Sequence, residues 1–203
     1  MTNTFAWGVS RMFRRIWPLL LLAASSMMLS FAGGPSSPSW RYERMLIAEE
    51  PWRLLTGHLV HLGISHLLLN LAGLAMIAWI FGPGLTAAQW LWLSLLSVAS
   101  IDLGFWLFEP QLDWYVGLSG VLHGLLLGAA LLDDGLERRM RVVFVAVMVG
   151  KLLWEQWAGA LPMTAEAAGG PVVVDAHWYG GIGGVLAAAT WRARRQFRPS
   201  GAA

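Results

Sequence analysis

Four polar side chains stand at spacings that nucleophilic hydrolysis of a peptide bond could use. Ser119 lies in Tyr115-Val116-Gly117-Leu118-Ser119-Gly120-Val121-Leu122-His123-Gly124, at the mouth of an apolar stretch. Gly117 and Gly120 permit a tight backbone entry into that stretch, and a helix starting there leaves free N–H groups that could bind an oxyanion. A serine hydroxyl is a poor nucleophile until a base takes its proton, and a neutral histidine is the usual base near physiological pH. The candidate base is His177, in Ala176-His177-Trp178-Tyr179-Gly180. Its offsets of three, four and seven from Gly180, Gly181 and Gly184 place the imidazole on a close-packing helical face. Gly120, Gly124 and Gly128 recur every four residues, so His177 approaches Ser119 if the two glycine faces meet. His66 and Asn70, also four apart, share one helical face. They could donate together to a developing oxyanion, or serve as a helix-bridging structural pair.

The elements that must position these groups are membrane spans. Of the 203 residues 57% are hydrophobic and 13% charged, and the mean hydropathy is +0.56. That is the composition of a polytopic membrane protein, expected as an all-α helix bundle forming one domain over residues 1–203, with no room for a sizeable soluble domain. Without cysteine, disulfides, thiolate metal sites and cysteine nucleophiles are excluded. The basic isoelectric point, near 9.5, could suggest nucleic acid, but the basic residues cluster beside apolar segments and more simply set topology. No nucleic-acid partner is expected; the partner is the lipid bilayer.

Six apolar segments are expected to cross the membrane: residues 16–32, 65–81, 89–108, 117–132, 142–161 and 177–191. Trp17, Trp90, Trp92, Trp106, Trp114, Trp154, Trp157, Trp178 and Trp191 fall near their ends, as an interfacial belt requires, whereas Trp79 sits deeper. Arg11, Arg14, Arg15, Arg138, Arg139, Arg141, Arg192, Arg194, Arg195 and Arg198 all fall on one side, ten of the 14 basic residues. Both termini are therefore expected to be cytoplasmic, with residues 192–203 a basic tail. Residues 33–64, 109–116 and 162–176 become outer-face loops, which puts Ser119 and His177 toward the outer face.

Two segments invite other readings. The first span, with basic residues before an apolar run and small Ser30 and Ala32 after it, also resembles a cleavable signal, although cleavage would leave an odd number of spans under a basic tail. Residues 33–64 open with Gly-Gly-Pro-Ser-Ser-Pro-Ser and then carry Trp40, Trp52, leucines and histidines; that apolar content argues for a loop lying partly in the outer leaflet.

The remaining polar residues read locally. Lys151 and Glu155, four apart, form an intrahelical ion pair in the simplest account, or contact substrate near the site. Asp102 has no sequence-local partner and could face Lys151 or another helix. Asp175 reads as a cap of the last helix rather than as a third catalytic member. His58, His61 and His66 lack a His-Glu-x-x-His signature or a nearby carboxylate pattern, so neither a metal nor any other cofactor is expected.

Taken in order, these motifs resemble the rhomboid intramembrane serine proteases over roughly Trp52 to Thr190. Trp52-Arg53 looks like that family's first-loop pair, and His61 with His66-xxx-Asn70 like its second helix. Gly117-x-Ser119-Gly120 is similar to its serine motif, and Ala176-His177-xx-Gly180-xxx-Gly184 to its last core helix. The resemblance implies a Ser119–His177 dyad without an acid, and an oxyanion hole of His66, Asn70 and the Ser119 amide. It also implies cleavage of transmembrane substrates near the outer face. Better-known members often carry Tyr four residues after the serine, stacked beneath the histidine; here the residue is His123, whose protonation would disfavour a second cation at His177. The short chain and that histidine look most like the bacterial rhombosortase branch, in which single-span substrates end in a Gly-Gly motif, a helix and a basic tail. Such an enzyme would sit in the bacterial inner membrane with its active site toward the periplasm. An inactive rhomboid-like protein that binds transmembrane clients is the alternative from another class.

Overall fold

In the computed structural model, residues 2–34 and 36–196 are described, with side chains from Ser10 onward. The elements run α1 (Thr2–Gly33), β1 (Tyr42–Glu43), a 3₁₀ turn at Arg44–Leu46, α2 (Arg53–Thr56), α3 (Ile64–Phe81), α4 (Ala87–Phe108), β2 (Trp114–Tyr115), α5 (Ser119–Leu132), α6 (Arg138–Ala158), α7 (Thr164–Ala168) and α8 (Val174–Gln196). Each of the six apolar segments overlaps one helix, in order α1, α3, α4, α5, α6 and α8. Segments α1 (from Ser10), α3 and α4 are long and apolar enough to cross a membrane, and α5 is a shorter apolar helix. Helices satisfy their own backbone groups, which is what an apolar surround demands.

Punctuation residues explain the boundaries. The α3–α4 turn follows Gly82-Pro83-Gly84, and Thr86 then caps α4 through a reciprocal capping box with Gln89. The expected boundaries shift most in the fifth and sixth segments. The fifth segment forms α6 from Arg138, four residues early, because arginine is a good helix former; it stops at Gly159, whose φ of +78° ends the helix. The expected tail begins inside a helix, since residues 192–196 continue α8, while residues 197–203, Arg198 included, lie outside the described residues.

Central to the bundle is α5, with eleven of its fourteen residues buried. It faces α8 through small residues. A Cβ at Gly120 would lie 2.7 Å from the Ala176 carbonyl oxygen, and Cβ atoms at Gly180 and Gly184 would collide with the backbones of Gly120 and Gly124. The backbones therefore touch where side chains would normally keep helices apart. On α4, Leu93, Ile101 and Phe105 complete this core with Val121 and Leu125 of α5. Trp79, Leu95, Leu103, Val147 and Leu186 point outward, a surface suited to lipid. In contrast to α5, α6 buries only Leu152 and Glu155.

The described part of residues 33–64 is a folded unit rather than an open loop. β1 pairs antiparallel with β2, Tyr42 opposite Tyr115 and Glu43 opposite Trp114. Arg44 donates to the carbonyls of Phe105 (2.9 Å), Trp106 (2.9 Å) and Glu109 (3.2 Å), at and just beyond the C-terminal end of α4. Buried Arg53 donates to Glu50 Oε2 (2.6 Å) and to the carbonyls of Pro38 (2.7 Å) and Arg41 (2.9 Å). Trp52, Leu55 and Met45 remain exposed at its surface.

Candidate active site

β2 hands the chain to α5 through Gly117. Its φ of +125° is a left-handed conformation, and a Cβ there would lie 2.7 Å from His66 Cε1, so the position needs glycine twice over. Burial pushes the Tyr115 phenol up, so it stays protonated and donates to the Gly117 carbonyl at 2.6 Å. The Gly117 N–H bonds the Gly57 carbonyl at 3.0 Å. This corner fixes Ser119 as the first residue of α5, where first-turn N–H groups lack intrahelical acceptors.

Ser119 Oγ stands 3.0 Å from His177 Nε2. The glycine contact of α5 with α8 brings them together, as their spacing requires. His66, at the start of α3, lies against Gly117 in the same cleft, and its Nδ1 accepts from the Leu62 N–H at 3.4 Å. That leaves the proton on Nε2, the nitrogen nearer Gly117. Asn70 is placed differently: its amide Nδ2 donates to the His66 carbonyl at 2.9 Å, and it does not line the cleft. The cleft itself is about 290 Å³, bounded by residues 111–116, by Pro171–Val173, and by Leu62, His66 and Ser119.

His123 stacks on His177, ring centroids 4.1 Å apart at 19°. Its Nδ1 bonds the Ser119 carbonyl at 2.7 Å, and Lys151 Nζ lies 2.8 Å from its Nε2. An ammonium can only donate, so His123 Nε2 accepts and the ring proton sits on Nδ1. The stacked imidazole is thus neutral, not a second cation.

Lys151 and Glu155 do form the intrahelical pair, at 2.7 Å through Oε1. The carboxylate also reaches His177: Oε2 is 3.0 Å from Nδ1. The expected arrangement had no acid at this nitrogen. The spacing of four described only the helix's own face, and the second contact comes from α8 packing across it. Asp175 lies in the first turn of α8, a favourable place for a carboxylate at the helix's positive end. Asp102 faces His58 Nε2 at 3.2 Å rather than Lys151.

The three histidines considered for a metal each bond another group, and the His61 and His66 rings meet edge to face at 5.0 Å. His58 bonds Asp102, His61 Nδ1 lies 3.1 Å from Ser30 Oγ, and His66 serves the cleft. Burial, with His66 beside it, holds His61 down to about 3. A different trio, His123, Glu155 and His177, places ligand-type atoms within 4.8 Å of one another. Lys151 already contacts two members of that trio with its own positive charge.

At the other end of the bundle lie Arg15, Arg141, Arg192 and Arg195. Arg141 donates to the Asp133 carbonyl, Arg192 and Arg195 reach Asp134 at 3.3 Å, and Arg15 bonds Pro83. They gather at the C-terminal ends of α3, α5 and α8, opposite Ser119.

A family model described as Rhomboid domain matches residues 48–194, nearly three quarters of the chain. Among curated proteins and solved structures nothing matches it.

Proposed function

The chain belongs to the rhomboid family of membrane proteins, and we propose on that footing that it is an active intramembrane serine protease rather than an inactive homologue. The observation that carries this reading is Ser119 Oγ at 3.0 Å from His177 Nε2 beside an open cleft. A protein that only bound transmembrane clients would need neither a nucleophile nor a base at bonding distance.

In the proposed reaction Ser119 Oγ attacks the scissile carbonyl carbon while its proton passes to His177 Nε2. The oxyanion is held by the Ser119 N–H and by His66 Nε2–H, where low dielectric strengthens each hydrogen bond. Asn70 contributes by fixing the His66 backbone, and joins the hole directly only if its amide turns from that carbonyl. His177 then gives its proton to the leaving amine as the C–N bond breaks. Water, activated by the same imidazole, releases the acyl-enzyme.

The proposed setting is one membrane domain over residues 1–203, six helices crossing the bacterial inner membrane, both termini cytoplasmic and the site toward the periplasm. Separation of Arg15, Arg141, Arg192 and Arg195 from Ser119 by the length of the bundle supports that orientation. His123 in place of a stacked tyrosine supports a rhombosortase-like role, with single-span secreted proteins bearing C-terminal Gly-Gly tails as substrates. The test compares membrane-anchored proteins in cells carrying wild type or Ser119→Ala. Uncut Gly-Gly tails should accumulate with the variant, and an unchanged profile would count against the substrate class.

A further inference from the structure

Attack by Ser119 calls on α5 and α8, yet α6, the least buried long helix, delivers two charged side chains behind His177. Glu155 is 1% exposed at its side chain, with Oε2 on His177 Nδ1 and Oε1 on Lys151. Lys151 continues to His123 Nε2, His123 Nδ1 returns to the Ser119 carbonyl, and Ser119 Oγ meets His177 Nε2. These contacts close a ring of five residues.

The ring's chemistry leaves no choice of protons. Glu155 accepts from Nδ1–H, so His177 presents a lone pair, not a proton, to the serine. Lys151 cannot accept, so it fixes His123 as the Nδ1–H tautomer. We propose that Glu155 is the third member of a Ser119–His177–Glu155 triad, a positioning residue that sets the His177 tautomer and supports the imidazolium, itself oriented by Lys151. This rests on the serine-protease reading. It assigns α6 a part in the chemistry: displacing α6 withdraws the acid from its base.

An ion pair present only to bury two charges would not need His177. A triad acid instead controls the serine's reactivity, variant by variant. In Glu155→Gln, Lys151 claims the amide oxygen and turns the NH₂ onto His177 Nδ1, which drives the proton to Nε2 and blocks the base. Removing Lys151 as well lets the amide turn its oxygen back to His177.

The test reads Ser119 modification by a fluorophosphonate in detergent-solubilised full-length protein. There the Oγ–P bond forms, P–F breaks, fluoride leaves, and the serine proton passes through His177 to water. The second-order rate is followed against pH for variants whose thermal unfolding matches wild type. Glu155→Gln should lose about 10²–10⁴-fold in rate. Glu155→Asp should recover part of that loss, and Lys151→Met/Glu155→Gln should react faster than Glu155→Gln alone. The acidic limb of the profile should move down in Glu155→Gln and up in Lys151→Met. The groups facing His177 are His66 on α3, His123 on α5, and Glu155 and Lys151 on α6. On α4, Asp102 is held by His58 and Glu109 by Tyr179. A wild-type rate and unmoved limb in Glu155→Gln would overturn the triad and leave the protease reading standing. Failure of folded wild type to react at Ser119 would overturn the reading beneath it.

Discussion

Gly180→Ala perturbs the distance on which the site depends by an amount the structure fixes. The new Cβ would lie 2.7 Å from the Gly120 carbonyl carbon and 3.3 Å from its Cα, and would overlap the Gly120 oxygen. Carbon atoms settle at about 3.5–4.0 Å, so α5 and α8 must part locally by roughly 1 Å. Ser119 precedes Gly120 directly, and His177 lies three residues before Gly180, so the gap opens on the 3.0 Å Ser119–His177 bond. A misplacement of that size costs about 10²-fold in rate, and the overpacking costs about 1–3 kcal/mol of stability. The control is Gly150→Ala on α6, where a Cβ meets nothing within 4 Å; it should be neutral or stabilising by up to about 1 kcal/mol. Fluorophosphonate labelling rates and thermal unfolding in one detergent measure both. If Gly180→Ala labels and unfolds like wild type, close glycine contact does not set the catalytic distance.

Further outcomes follow from other contacts. Gly117→Ala forces a side chain into φ +125° and against His66, and should lower kcat by about 10²-fold or more through the oxyanion site. His66→Ala should lower kcat by about 10²–10³-fold with KM little changed, and Asn70→Ala by less; equal losses would show that Asn70 turns into the cleft. Arg53→Ala strands Glu50 and two loop carbonyls and should destabilise by about 2–4 kcal/mol in thermal unfolding. His61 is held down to about 3 when folded, against an unfolded value near 6.5, so the unfolded chain binds the extra proton. Stability should therefore fall as pH drops from about 6.5 toward 3, by at most about 1.4 kcal/mol per pH unit, and His61→Gln should flatten that slope.

Long periodic segments were legible because hydropathy and glycine spacing are local. Gly120, Gly124, Gly180 and Gly184 even implied which helices meet, and so that His177 reaches Ser119. What stayed hidden were partners set only by packing. Asp102 finds His58, forty-four residues away, and nothing in either neighbourhood marks the pair. Glu155 looked complete beside Lys151, because a spacing of four satisfies one carboxylate oxygen; the other is assigned by α8. The signal that could have found it is a charged pair in the middle of an apolar segment, since such charges are rarely spent on structure alone. In residues 33–64, Tyr42 opposite Tyr115 is a two-residue strand pair, too short to leave a pattern.

The central claim is that Ser119 is a nucleophile activated by His177. The most direct measurement is the intact mass of the folded, detergent-solubilised protein after a fluorophosphonate, with the modified residue located by peptide sequencing. One adduct on Ser119 is predicted, absent in Ser119→Ala and lost in a folded His177→Ala variant. An unmodified wild-type protein, or labelling that persists in His177→Ala, would contradict it.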